Sequence, residues 1–312
     1  MSDIEISVVV PAYNEEENIF PMYKAVTEVL GPLGKPYEII YVDDGSTDRT
    51  VEELKKVCAK DKHVKAVIFR KNFGQTAAMD AGFKQAQGRV IFPMDADLQN
   101  DPKDIPRLLK KLDEGYDVVS GWRKNRRDTF FKKFVSRGAN LLRKLIINDK
   151  IHDSGCTLKA YKKKCFEGIT LYGEMHRFIP AILEWKGYKV TELVVRHHSR
   201  KYGQTKYGMK RTIKGFLDML VMKFWMQYST RPIHLFGSSG LLMTFFGILI
   251  GAYLAFIKIF FGASIGNRPL LILSVLLMVL GVQLIMFGFL ADILVKVYYR
   301  DVPNYSVEKV IN

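Results

Sequence analysis

The sequence predicts an α/β domain on a mostly parallel sheet, with helices on both faces, followed by two helices that cross a membrane. Three observations carry this prediction. Apolar, β-rich runs alternate with amphipathic stretches through the first half of the chain. Several of those runs, such as Ser7-Val-Val-Val-Pro11, stay apolar at consecutive positions. Two long segments near the C-terminus carry no charged residue. Alternation at this spacing builds βα units and a parallel sheet. Continuous apolar runs suit strands buried on both faces.

Strands are expected over residues 6–10, 38–42, 64–69, 90–94 and 118–120, and helices over 16–30, 50–59, 76–87 and 103–114. In such sheets ligands bind beyond the carboxyl ends of the strands. Polar residues that directly follow a strand are therefore the first candidates for chemistry.

The apolar segments 233–257 and 269–291 contain no Asp, Glu, Lys or Arg. As helices each would run about 35 Å, enough to cross a hydrocarbon core. The connection between them carries only Lys258 and Arg268. The outer flanks carry Lys206, Lys210, Arg211, Lys214, Lys223 and Arg231 before the spans, and Lys296, Arg300 and Lys309 after them. The excess of basic residues on the cytoplasmic side of membrane proteins then places the large domain, both termini and a short tail (301–312) in the cytoplasm. Between domain and spans, apolar residues recur at helical spacing over 207–230 with basic residues among them, the pattern of an amphipathic helix lying in the membrane interface.

Across its 312 residues the chain has 47 Lys and Arg against 32 Asp and Glu, a net charge of +15. Such an excess suits nucleic acid, an anionic membrane surface or phosphate-bearing substrates. Nucleic acid is set aside because no stacking platform or reading helix accompanies the charge and the basic residues gather beside the apolar segments. A transporter is set aside because neither span carries an Asp, Glu, Lys or Arg. The three cysteines have no metal-type spacing and read as reduced thiols. The N-terminus has neither a basic start nor a long apolar run, so no secretory signal is expected.

The run Met94-Asp95-Ala96-Asp97-Leu98-Gln99 follows the fourth strand. Two carboxylates at i and i+2 where a strand ends can both reach one hard divalent cation, Mg²⁺ or Mn²⁺, which also takes phosphate oxygens. An isolated Asp-x-Asp also occurs as a simple turn or helix cap. Here it is accompanied by Pro11-Ala-Tyr13-Asn14-Glu15-Glu16 after the first strand, Asp43-Asp44-Gly-Ser-Thr-Asp48 after the second and Arg70-Lys-Asn-Phe-Gly-Gln75 after the third.

With these four segments in this order, residues 4–206 resemble a family 2 inverting glycosyltransferase of the GT-A, Rossmann-like fold. The resemblance implies that Pro11, Tyr13, Asn14 and Glu15 contact the base and ribose of a nucleotide-diphosphate sugar. Asp43 or Asp44 would read the base, Asp95 and Ala96 would line the donor site, and Asp95, Asp97 and Gln99 would organise the metal. The segments Asp153-Ser-Gly-Cys156-Thr-Leu-Lys-Ala-Tyr161, Gly173-Glu-Met-His-Arg-Phe-Ile-Pro180 and Arg200-Lys-Tyr-Gly-Gln-Thr-Lys206-Tyr207 narrow the likeness. They resemble the polyprenyl-phosphate glycosyltransferases, including dolichyl-phosphate mannose synthases and bacterial undecaprenyl-phosphate sugar transferases.

That narrower resemblance places Asp97, Asp153, Arg123 and Arg137 among the catalytic residues, with the two arginines on the acceptor phosphate. Arg200 and Lys206, on a glycine-containing segment, would close over the donor diphosphate. Cys156 stands where some relatives carry a second Asp, so no general base is assigned. The implied partners are a nucleotide sugar, leaning to UDP-hexose with GDP-mannose as the alternative, a polyprenyl-phosphate lipid and the membrane. A second copy of the chain paired through the spans and a flippase are possible partners. A processive polysaccharide synthase is the rival reading; it is disfavoured because Gln227-Tyr-Ser-Thr-Arg231-Pro232 lacks the Trp of the Gln-x-x-Arg-Trp segment usual in those enzymes.

Overall fold

The computed structural model describes residues 4–124, 151–171, 173–199, 210–229, 231–262, 264–266 and 268–298. Arg137, Arg200 and Lys206, and the tail 301–312, lie outside the described residues. The chain divides into two compact units, Met1–Met222 and Lys223–Asn312.

In the first unit the strands are β1 (Ile6–Ala12), β2 (Tyr37–Asp43), β3 (Val64–Ile68), β4 (Val90–Pro93), β5 (Val118–Trp122), β6 (Lys159–Lys162) and β7 (Val190–Val194). The helices are α1 (Ile19–Leu30), α2 (Thr50–Lys60), α3 (Gln75–Gln85), α4 (Ile105–Asp113) and α5 (Ile179–Trp185). The strands form one sheet in the order β3-β2-β1-β4-β6-β5-β7. Among the described strands β6 alone runs antiparallel, paired with β4 on one side and β5 on the other. This makes the sheet mostly parallel, as expected, with two strands that the sequence did not predict, the reversed β6 and the edge strand β7.

Period-two side-chain alternation divides the core between two faces. Ile6, Val8, Val10, Ile39 and Tyr41 pack with Ile19, Met22 and Val26 of α1, Leu54 of α2 and Leu108 and Leu112 of α4. Their neighbours Val9, Ile40, Val42 and Ile91 turn to the other face and meet Ala78, Met79 and Phe83 of α3 and Leu183 of α5. Consecutive apolar residues in a strand are thus explained: both faces are covered. One buried polar node ties the lower end of the sheet together. Glu38 accepts from the Ser7 hydroxyl at 2.7 Å, from the Gln87 amide at 2.7 Å and from Lys65 Nζ at 2.9 Å.

Helix α6 (Lys210–Tyr228) occupies most of the expected juxtamembrane stretch, and Leu217, Leu220, Val221 and Trp225 on it are exposed. In the second unit α7 (Ile233–Phe261) and α8 (Pro269–Tyr298) pack side by side. Both are longer than the charge-free runs, because Lys258, Asp292 and Lys296 continue the helices past the apolar stretch. Long charged side chains near a helix end can reach toward the interface. Only 17% and 11% of their most apolar stretches are buried, so these helices do not sit in the core of this chain.

Small residues set how closely the two helices approach. A Cβ at Gly240 would collide with the Gly281 carbonyl, and one at Gly281 with the Gly240 carbonyl. Ser274 Oγ donates to the Gly247 carbonyl at 2.8 Å. Without a hydrophobic force between helices in lipid, such close backbone packing and interhelical bonding hold the pair.

Candidate active site

The polar turns follow the parallel strands, so they gather at the carboxyl edge of the sheet. At the end of β1, Asn14 adopts φ +53°, a left-handed conformation that Asn tolerates better than most residues. Its amide donates to Ser46 Oγ at 2.9 Å and its Oδ1 accepts from the Thr47 amide at 2.8 Å. The Glu15 amide donates to Thr50 Oγ1 at 2.9 Å, and the Glu15 carboxylate accepts from Asn18 Nδ2 at 2.6 Å. These residues fasten the turn after β1 to the turn after β2. Pro11 and Tyr13 are half-buried at the same edge.

The two neighbouring acids after β2 differ in what they leave open. Asp44 accepts from the Phe73 amide at 2.7 Å, the Gly74 amide at 2.9 Å and Asn72 Nδ2 at 3.0 Å. It is the anchor of the loop after β3. Burial raises its pKa, with the amide bonds to Phe73 and Gly74 acting against the rise. Gly45 allows that loop to come close, since a Cβ there would strike the Lys71 and Asn72 backbone and its φ is +70°. Asp43 is fully buried. Its Oδ2 accepts from the Ser46 amide at 3.1 Å, while its Oδ1 is buried with no partner. Asp43 therefore keeps an acceptor for something else.

The fourth turn carries the carboxylate pair. Asp95 Oδ1 accepts from Gln75 Nε2 at 2.8 Å and Oδ2 from Thr157 Oγ1 at 2.5 Å. Asp97 is 4% exposed, and its Oδ1 accepts from the Gln99 amide at 3.1 Å. Between them and Gln99, Leu98 sits at φ +58°. A leucine in that region costs on the order of 1 to 2 kcal/mol, and such strain concentrates at functional turns. The Gln99 carbonyl accepts from the His198 amide at 2.8 Å, which holds the turn from the other side. Ala96 is buried within it. Burial of its carboxyl and the adjacent Asp97 charge raise the pKa of Asp95, opposed by the Thr157 bond and by the charges of Arg123 and Lys159.

These residues fit a hard divalent cation. Each carboxylate oxygen has two acceptor positions, so the bonds from Gln75 and Thr157 leave Asp95 able to ligate. Among the described residues no group of three or more His, Cys, Asp or Glu could hold an ion alone. A pair of carboxylates that leaves positions for water and substrate phosphate suits Mg²⁺-type binding.

Across the seam between β5 and β6, Arg123 and Asp153 form a two-pronged pair, Nε to Oδ2 at 2.7 Å and Nη2 to Oδ1 at 2.9 Å. Burial pushes Asp153 up, but the bonds and charge of Arg123 outweigh it, so its pKa is lowered. Asp153 is thereby an anchor for the guanidinium. The Cys156 thiol is buried, and burial pushes it up to about 11. It stays neutral near pH 7. His176, on a short 3₁₀ turn, lies 2.7 Å from Thr76 Oγ1. His197 bridges Asn100 at the edge of the site.

Three residues escaped the sequence reading: Gln75, Thr157 and Lys159. All three lie within segments already singled out, but no local pattern says that Gln75 and Thr157 clasp Asp95 or that Lys159, a residue ordinarily solvated in a strand, is buried.

Paired carboxylates and a partnerless buried acceptor at the carboxyl edge of this sheet, on a chain with two helices long and apolar enough to cross a membrane, point to a membrane-associated enzyme of the GT-A type. The model of glycosyl transferase family 2 matches residues 7–170. The chain belongs to this family. It is 42% identical to a dodecaprenyl-phosphate galacturonate synthase of Rhizobium johnstonii, covering all of this chain and 94% of the relative. It is 36% identical to an undecaprenyl-phosphate 4-deoxy-4-formamido-L-arabinose transferase of Pseudomonas paraeruginosa, covering 98% of this chain and 90% of that one. Among solved structures, a glucosyl-3-phosphoglycerate synthase of Mycobacterium tuberculosis, in complex with Mn²⁺, UDP and phosphoglyceric acid, is similar in fold. Its TM-score is 0.52 at 17% identity, over 71% of this chain and 78% of that one.

Proposed function

We propose that this chain transfers a sugar, with inversion, from a nucleotide-diphosphate donor to a polyprenyl phosphate in the membrane. The observation that carries the reading is the carboxylate pair Asp95 and Asp97 at the carboxyl end of β4. The relatives' names, which describe sugar transfer to dodecaprenyl and undecaprenyl phosphate, support the acceptor class.

Asp43, whose buried Oδ1 has no partner, is assigned to the base, and Pro11, Tyr13, Asn14 and Glu15 frame that end of the site. Asp95 and Asp97, with Gln99 beside them, would hold Mg²⁺ or Mn²⁺; the cation offsets charge on the departing diphosphate. A phosphate monoester has its second pKa at about 6, so the acceptor is already an anion and needs no strong base. This suits a site whose Asp153 is committed to Arg123 and whose Cys156 stays protonated. Arg123 and Arg137 are assigned to the acceptor phosphate, and Arg200 and Lys206 to the donor diphosphate. In this reading residues 1–206 are the cytoplasmic catalytic domain, 207–230 lie in the interface and 231–300 carry the spans.

The donor is read as a UDP-linked sugar. The galacturonate relative makes a hexuronate the first to try. The test mixes purified full-length protein, polyprenyl phosphate and Mg²⁺ or Mn²⁺ with a panel of UDP- and GDP-sugars and reads product mass. A lipid-phosphate sugar adduct from one donor is expected. Adducts from none would overturn the acceptor and donor classes together, and an adduct from GDP-mannose alone would overturn the UDP reading.

A further inference from the structure

Lys159 opens β6 and is 3% exposed, yet its side chain ends in an amine. Burial lowers its pKa, as desolvation of a cation must. No carboxylate salt-bridges it among the described residues. Its Nζ donates instead to the Ser154 carbonyl at 3.2 Å and to the Cys156 carbonyl. Both acceptors belong to the turn that links the two halves of the site. At one end of that turn Asp153 grips Arg123. At the other Thr157 grips Asp95. A buried lysine is costly, and a simple turn in solvent would not require one.

We infer that Lys159 is a positioning residue: by drawing in the two carbonyls it fixes the 153–157 turn, and through it sets Asp95 and Arg123 in register. Its effect on transfer passes through Thr157 and Asp153, with no contact of its own to substrate. The inference rests on the proposed function for its activity arm only.

The test uses the full-length protein in detergent or lipid with three variants. Lys159→Met should lower turnover on the order of 100-fold, with the donor KM changed by less than about 3-fold, since two buried carbonyls lose their partner. Lys159→Arg, which keeps charge and donors, should recover to within about tenfold of wild type. Amide hydrogen exchange should quicken in peptides covering 153–158 and stay unchanged in those covering 37–43. Thr157→Val leaves Lys159 in place and should itself cost about tenfold in turnover. Combined with Lys159→Met, it should add less than about 3-fold, because both act through one turn.

Wild-type turnover in Thr157→Val, additive losses in the double variant, or exchange raised uniformly across the sheet would each overturn the inference. If the wild-type chain transfers no sugar, the proposed function fails alone. The exchange comparison then still decides whether Lys159 fixes the turn.

Discussion

Arg123 and Asp153 lie 30 positions apart and meet through two parallel N–H···O bonds of 2.7 and 2.9 Å, with their side chains only 11% and 18% exposed. The Arg123 amide adds a third bond to the same carboxylate at 3.2 Å. A fork-shaped donor set on one carboxylate fixes orientation as well as distance. The pair therefore locks the end of β5 to the chain entering β6.

Asp153→Asn should destabilise the protein by about 2 to 4 kcal/mol at pH 7, because it leaves a mostly buried guanidinium without its counter-charge. The folded-state pKa of Asp153 is lowered despite burial, because Arg123 stabilises the anion. Its stabilisation is therefore present above the unfolded-state pKa and is lost as pH falls through the folded-state value. In urea titrations the gap between wild type and Asp153→Asn should be widest near neutrality and close in acid. A gap that widened on acidification would contradict the pairing.

Asp97→Ala should cut sugar transfer by about 100-fold or more. The variant should still fractionate with membranes, since the spans are untouched. A chelator should abolish wild-type transfer, and Mg²⁺ or Mn²⁺ should restore it. Full activity of the variant would remove Asp97 from the metal assignment.

Asp44 anchors the loop after β3 through two amides and a carboxamide. Asp44→Ala should cost about 2 to 3 kcal/mol, because three hydrogen bonds to a buried carboxylate are lost together. Asp44→Asn, which keeps one acceptor oxygen, should cost less. Thermal unfolding of the two variants side by side gives the order, and the reverse order would refute the anchoring role.

Gly281→Leu should separate α7 from α8, because even a Cβ at this position strikes the Gly240 carbonyl and Thr244. Overpacking a close helix contact costs about 1 to 3 kcal/mol. A lower unfolding temperature in detergent is the readout, with Leu276→Ala on the exposed face as the control that should change little.

Much of the fold was legible because the signals are local. Strands 6–10 and 38–42 announce themselves by unbroken apolar runs, and the structure lengthens them only to Ile6–Ala12 and Tyr37–Asp43. Helix α1 starts later than expected, at Ile19, because the residues before it form the turn that Asn14 and Glu15 fasten to the next loop. The 103–114 helix begins with a 3₁₀ turn at Pro102–Asp104 before α4 proper. The reversed strand β6 is four residues long, too short for alternation to distinguish it from a loop.

By itself the sequence determined the layered α/β class, the placing of acids after strands and the two long apolar helices. Each follows from periodicity or composition within a window of one element, where side-chain direction and hydrophobicity suffice. The tertiary structure alone decided which acids stay open and which are committed. Asp43 and Asp44 are adjacent in sequence, yet one keeps a buried oxygen without a partner while the other is filled by a loop 28 to 30 residues away. Likewise Asp95 is clasped by Gln75 and Thr157 from 20 and 62 residues away. Such pairings depend on how the sheet brings distant turns together, and no local pattern in the chain encodes them.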